Sequence, residues 1–282
     1  MTILVFGRTG QVATELQRQA DVTALGRDAA DLGDPAGCAA AIAAHGPAVV
    51  INAAAYTAVD NAETDEARAH AVNAGAPGAM AQACAARAIP FLHISTDYVF
   101  DGTGDRPWRE TDPTAPQNAY GRTKLAGEVA VRAAGGRHVI LRTAWVFSAH
   151  GNNFVKTMLR LSDTHDALRV VDDQWGGPTP AADIAATLLA MAGALQDGQA
   201  GGTYHYGGAP HVNWAGFARE AFARAGRAVT VTGIPSTDFP TPAKRPLNAR
   251  LDGAALAADF GIPPADWRAG LAAVLDILGA RA

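Results

Sequence analysis

Cysteine, surplus basic charge and long apolar runs are what this sequence has little of. Its two cysteines, Cys38 and Cys84, each sit in an alanine-rich helical context without metal-ligand spacing. They read as small buried apolar residues. Lys and Arg number 23 against 27 Asp and Glu, a net charge of −4, and no basic patch or run of like charge appears. That pattern excludes a nucleic-acid-binding surface. No apolar stretch is long enough to span a bilayer, and the start of the chain shows neither a charged leader nor a cleavage site, so a cytoplasmic location is the expectation. Internal repeats and low-complexity linkers are also missing, so domain boundaries must be interleaved without a clean hinge. What is plentiful is alanine and glycine, on a background 49% hydrophobic and 18% charged. This is the composition of a soluble globular enzyme with close-packed helices and many turns, and 282 residues suffice for one large domain or two intimate ones.

The first half alternates strand and helix, which predicts an α/β fold: a Rossmann-like, doubly wound parallel sheet with a smaller interleaved lobe. A β-branched, apolar strand over 2–6 runs into Gly7-Arg8-Thr9-Gly10-Gln11-Val12-Ala13 and a helix to about residue 19. In this Gly-x-x-Gly-x-x-Ala turn, Gly7 permits the tight bend. Gly10 lets the backbone approach a pyrophosphate at the helix N-terminus, and Ala13 permits close helix packing. The motif therefore points to a dinucleotide, with Gly7, Thr9, Gly10, Gln11 and Val12 around it. After a second strand over 21–25 comes Arg27, where a NAD-selective site usually carries an acidic residue. A guanidinium there fits a 2′-phosphate and favours NADPH over NADH; the alternative is a solvated loop arginine. Asp31 and Leu32 lie where an adenine would rest.

A third strand over 48–52 ends in Ala53-Ala54-Ala55, small residues that leave room for a ligand at the crevice. A loop carrying Val59 follows, then a helix over 64–87 in which Asn73 reads as a structural hydrogen-bonding residue. The fourth strand, 91–96, contains His93, read as a packed histidine and not a base. It ends at Thr96, whose hydroxyl can donate to a carbonyl oxygen, and continues into Asp97 and Tyr98. Beyond a proline-rich loop stands Tyr120-Gly121-Arg122-Thr123-Lys124. Four residues apart on a helix, phenol and ammonium share a face, which lowers the phenol's pKa and suits it to protonate a carbonyl under reduction. In the second half, strands are expected over 139–143, 168–171 and 202–206. Helices are expected over 152–162, 181–195, 212–225 and 265–279.

These motifs, in this order, resemble the extended short-chain dehydrogenase/reductase superfamily: Gly7-x-x-Gly10-x-x-Ala13, Asn52-Ala53-Ala54-Ala55, Ser95-Thr96 and Tyr120-x-x-x-Lys124. Longer stretches narrow the resemblance to the dTDP-4-dehydrorhamnose reductase family. They are Ala55 to Glu63, Ser95 to Gly102, Arg142 to Phe147, Asp172 to Thr179 and Arg245 to Leu251. The resemblance implies NADPH or NADH as cofactor, held by the Gly7–Ala13 turn, Arg27, Asp31, Leu32, Ala53, Ala54, Ala55, Tyr120 and Lys124. It implies Thr96, Tyr120 and Lys124 as catalytic residues. A dTDP-sugar would meet Val59, Thr96, Asp97, Tyr98, Tyr120 and Trp145, with Arg245 and Asn248 toward its diphosphate. Residues 1–149 and about 180–206 would form the dinucleotide-binding domain, and about 150–179 with 207–282 the sugar-nucleotide lobe. Some relatives bind Mg2+ at a dimer contact through glutamates; Glu15 is placed for one ligand, no second is evident, and a solvated helix residue is the simpler reading. Monomer and homodimer both stay open. The rival readings are an epimerase or dehydratase on the same scaffold, or a non-catalytic subunit like that regulating methionine adenosyltransferase. A dehydratase needs an acidic pair after the threonine, whereas Asp97 is followed by Tyr98.

Overall fold

Short apolar segments pair in parallel to form the central sheet of the computed structural model, which describes residues 2–282. We label its strands β1 (Ile3–Phe6), β2 (Val22–Leu25), β3 (Val49–Asn52), β4 (Phe91–Thr96), β5 (His138–Thr143) and β6 (Gly202–Tyr206). The spatial order is β2-β1-β3-β4-β5-β6. Every neighbouring pair is parallel. Helices make the crossovers between the first five strands, and the longer link from β5 to β6 carries short strands as well.

The apolar runs are continuous because both faces are covered. The period-two alternation assigns Ile3 and Val5 of β1 to one layer with Val49, Ile51, Leu92, Val139 and Leu141. Helices Gln11–Gln19 and Ala181–Gln196 close it through Leu16, Ile184, Leu188 and Leu195. Leu4 and Phe6 point the other way, toward Val50, Phe91 and Ile140, and meet Ile42, Met80 and Val131 from helices Pro35–His45, Ala76–Ala85 and Ala119–Ala133. Each such side chain contributes roughly 1.5–3 kcal/mol when fully buried. Cys38 and Cys84 lie buried in this second layer as free thiols.

The predicted helix over 64–87 is interrupted. Glu66–His70 passes through a π turn, Ala71–Gly75, before Ala76–Ala85. Asn73 sits in that turn; its Oδ1 accepts from the Tyr56 N–H (2.8 Å) and its Nδ2 donates to the Tyr56 carbonyl and Thr123 Oγ1. Gly127 faces it, where any side chain would collide with the Asn73 carbonyl.

The second lobe is built around a parallel pair, Ala167–Val171 with Thr230–Ile234. Helices Phe154–Ser162, Trp214–Arg224 and Trp267–Ile277 pack there through Val155, Phe217, Phe222, Trp267 and Leu271. The short strand Trp175–Gly176 runs between Val212–Asn213 and Asn248–Ala249. Helix Ala254–Phe260 was not foreseen; seven residues between Gly253 and Gly261 are too few to show a helical period. Among the described residues no helix is long and apolar enough to cross a membrane.

Candidate active site

The strand order reverses between β1 and β3, and a crevice opens there at the carboxyl ends of the strands. It holds a cavity of about 910 Å³. Gly7 ends β1 with φ +110°, a conformation glycine adopts without penalty. Gly10 caps helix Gln11–Gln19 with no side chain of its own, so the first-turn amides stay open toward the crevice. Such amides, with the helix dipole, favour a phosphate. Gly7, Thr9, Gly10, Gln11, Val12, Arg27, Asp31, Leu32, Ala53, Ala54 and Ala55 all line this cavity. So do Val59, Thr96, Asp97, Tyr98, Tyr120, Lys124 and Trp145.

β2 is followed by Gly26 and Arg27. Arg8 and Asp28 fill the space above the glycine: a Cβ on Gly26 would lie 2.5 Å from Asp28 Oδ1 and 3.0 Å from Arg8 Cζ. Arg8 and Asp28 pair at 3.1 Å, while Arg27 is exposed. Two guanidiniums thus border this end of the cleft. Arg8 was not singled out from the sequence because it stands at an unconstrained position of the Gly-x-x-Gly motif.

Thr96 closes β4, and its hydroxyl caps the turn Asp97–Val99 by accepting from the Tyr98 N–H (3.2 Å). The same hydroxyl donates to Asp97 Oδ1 (3.1 Å). Helix Ala119–Ala133 starts at Asn118, whose Oδ1 accepts from the Gly121 N–H (2.8 Å). A side chain at Gly121 would collide with the Tyr98 carbonyl, so the glycine lets this helix abut the Asp97–Val99 turn. Tyr98 and Tyr120 consequently meet edge to face, 5.4 Å between centroids. The spacing read from sequence does bring Thr96, Tyr120 and Lys124 to one cavity.

The electrostatics differ from the sequence expectation. Burial pushes the Tyr120 phenol up to about 12, opposed by a hydrogen bond with the Thr96 hydroxyl. The depression expected from Lys124 does not operate, because the amine turns inward. Its Nζ donates to the Ile94 carbonyl (2.7 Å) and lies 3.3 Å from His93 Nε2. Burial lowers Lys124 to about 8. Asp97 is 2% exposed, and burial raises its carboxyl to about 7. Asp97 Oδ2 and Thr143 Oγ1, both on residues lining the cavity, are buried polar atoms without a hydrogen-bond partner. Orphaned buried groups of this kind fit a polar ligand.

Trp145 follows β5 with φ +50°, a strained position for a bulky residue. Its indole lies over Gly176, where a Cβ would come within 2.6 Å of Cε2. It stacks on Trp214 at 3.5 Å, and Trp214 Nε1 donates to Gln174 Oε1. Trp214 was missed because the contact spans 69 residues and two lobes. Gln11 Oε1 accepts from Ser148 Oγ and Asn153 Nδ2, which ties the glycine-rich turn to the second lobe.

Three expectations are corrected. Asn248 is buried away from the cavity lining; its Nδ2 donates to the carbonyls of Thr103 and Arg106 and its Oδ1 accepts from Arg250 Nε, so it pins a loop. Arg245 also stands outside the lining, paired with Asp60 at 2.8 Å. Glu15 is not solvated: it is 6% exposed and bonds His150 Nε2 at 2.9 Å. Among the described residues no three His, Cys, Asp or Glu side chains converge to hold a metal ion.

Comparison with known proteins shows a match over residues 1–279 to the family described as RmlD substrate binding domain. A dTDP-4-dehydrorhamnose reductase of Burkholderia thailandensis is 46% identical, covering 95% of this chain and 96% of that protein. The crystal structure of such a reductase from Clostridium acetobutylicum superposes with a TM-score of 0.92 at 38% identity, covering 99% of this chain and 100% of that one. One from Bacillus anthracis, in complex with NADP, superposes with a TM-score of 0.91 at 30% identity, covering 98% and 99%.

Proposed function

The chain belongs to the RmlD substrate binding domain family, and from that premise we propose that it reduces the C4 carbonyl of dTDP-4-dehydro-L-rhamnose, using NADPH or NADH, to give dTDP-L-rhamnose. The observation that carries this reading is the meeting of Thr96, Tyr120 and Lys124 in the cavity that also runs along the Gly7–Gly10 turn. The open amides after Gly10, the alanines at the end of β3 and the arginines beside Gly26 fit a dinucleotide phosphate. When bound, the reduced dinucleotide supplies the hydride.

The chain's own groups handle the oxygen. Tyr120 gives its proton to the alkoxide that develops at C4. With its pKa raised to about 12 by burial, the phenol is protonated at neutral pH and holds the proton until that oxygen charges. The Thr96 hydroxyl turns its one proton from Asp97 to the same oxygen, an interaction strongest when the charge is greatest. Lys124 replenishes the proton and holds the cofactor ribose. Trp145, braced by Trp214, walls the sugar from water, with Val59 opposite. Asp97 and Tyr98 meet the sugar hydroxyls. Residues 1–149 with about 180–206 serve the dinucleotide, about 150–179 with 207–282 the sugar nucleotide, and the enzyme works in the cytoplasm. Tyr120→Phe tests the assignment. It is expected to bind cofactor normally and lose turnover by about 10²-fold, the scale of a lost general acid; near-normal turnover would remove Tyr120 from the reaction.

A further inference from the structure

We propose that His93 is a positioning residue for this reaction: its two ring nitrogens link the Lys124 amine to Asn52, at the root of the cofactor-facing segment 52–55. The sheet register creates the link, since His93 of β4 lies beside Asn52 of β3. Both are fully buried. Asn52 Oδ1 accepts from the Ala54 N–H (3.2 Å), which turns its Nδ2 to donate to His93 Nδ1 (3.1 Å). The network therefore places the ring proton on Nε2, facing Lys124 Nζ at 3.3 Å. A neutral amine accepts that N–H through its lone pair while donating to the Ile94 carbonyl. An ammonium has no lone pair for the Nε2–H, which then points a positive dipole at a positive charge, and only the Ile94 carbonyl still holds it; the mismatch turns it toward the cavity, where Tyr120 stands.

His93 thus seats the neutral amine left after Lys124 has given its proton to the Tyr120 phenolate, and releases it once a proton from solvent has recharged it. The other charged and titratable groups around the pair are few. Glu128, one turn along the same helix, is already held by Arg142 and Ser95. Asp97 and Tyr120 lie on the cavity side. Phe91 stacks on the imidazole and carries no charge.

This inference rests on Lys124 serving Tyr120 as described above, and the test separates the two. Nitrogen-15 NMR of the histidine rings is recorded on the wild-type protein and on Lys124→Met. One buried ring in the Nε2–H form, shifted by Lys124→Met and lost in His93→Gln, is expected. An Nδ1–H ring, or one indifferent to Lys124→Met, overturns the proposal. Kinetics with the sugar nucleotide then follow. His93→Leu should move the pH profile of kcat by about one unit, the scale of a rearranged hydrogen bond to an ionisable group, with KM changed less than about threefold, and His93→Gln should restore the wild-type profile. Superimposable profiles for wild type and His93→Leu overturn it equally. If His93→Leu does not fold, the ring measurement on the wild-type protein decides alone. An inactive wild-type protein with the expected tautomer would instead remove the function assignment and leave the His93–Lys124 linkage in place.

Discussion

Replacing Asp97 by Asn should make the protein more stable at pH 8 than at pH 5, relative to wild type. The carboxyl is 2% exposed, Oδ2 has no partner, and the nearest support is the Thr96 hydroxyl on Oδ1. Burial raises its pKa from 3.8 to about 7 in the folded protein. The sign follows from proton binding. The folded state holds this proton more tightly than the unfolded state, so the group's contribution is most favourable below pH 4. It is lost as pH rises through the window between the two values. With those values, wild type should lose roughly 2–3 kcal/mol between pH 5 and pH 8 from this one group. Asn cannot ionise and keeps an oxygen for Thr96, so the loss disappears in the variant. Urea unfolding of both proteins at the two pH values reads the difference directly. A stability gap between variant and wild type that does not change with pH would refute the reasoning, because it would mean that Asp97 is already ionised, or already compensated, in the folded state.

Other outcomes follow from the same structure. Arg27→Ala should weaken NADPH binding while leaving NADH nearly untouched, lowering the preference by about tenfold for each 1.4 kcal/mol that the guanidinium contributes to holding the phosphate. Arg8→Ala, measured beside it by fluorescence titration, shows how the two guanidiniums share the phosphate; an unchanged preference in both variants would exclude them from cofactor choice. Glu128 accepts from Arg142 Nε (2.8 Å), Arg142 Nη2 (2.7 Å) and Ser95 Oγ (2.6 Å) in the core. Glu128→Gln should therefore cost about 3–5 kcal/mol by leaving a buried guanidinium uncompensated, read as a lowered urea midpoint.

The backbone was largely legible in the sequence because its signals are local. Apolar runs of four to six residues marked the strands, and Gly7 and Gly10 marked the turn between β1 and its helix. The four-residue spacing brought Tyr120 and Lys124 to one cavity. The rest depended on partners far along the chain. Lys124 shares the cavity with Tyr120, yet its long side chain ends on Ile94 and His93, because burial against β4 decides where a flexible amine rests. Asn52 and His93 meet only through strand register, and nothing in either local sequence announces the pair. The resemblance implied Asn248 as a diphosphate ligand, but the carbonyls of Thr103 and Arg106 claim its amide. Trp145 could be singled out from its place after β5 and Trp214 could not, since their stacking joins segments 69 residues apart.

The most direct test of the proposed reduction is stoichiometry. Purified protein is given dTDP-4-dehydro-L-rhamnose with limiting NADPH, and cofactor oxidation is followed against sugar nucleotide product. The proposed chemistry predicts one NADPH oxidised for each dTDP-L-rhamnose formed, and reaction ceasing when NADPH is exhausted. Conversion of the sugar nucleotide with no net loss of NADPH would contradict it, because hydride would then be returned to the substrate as in an epimerase.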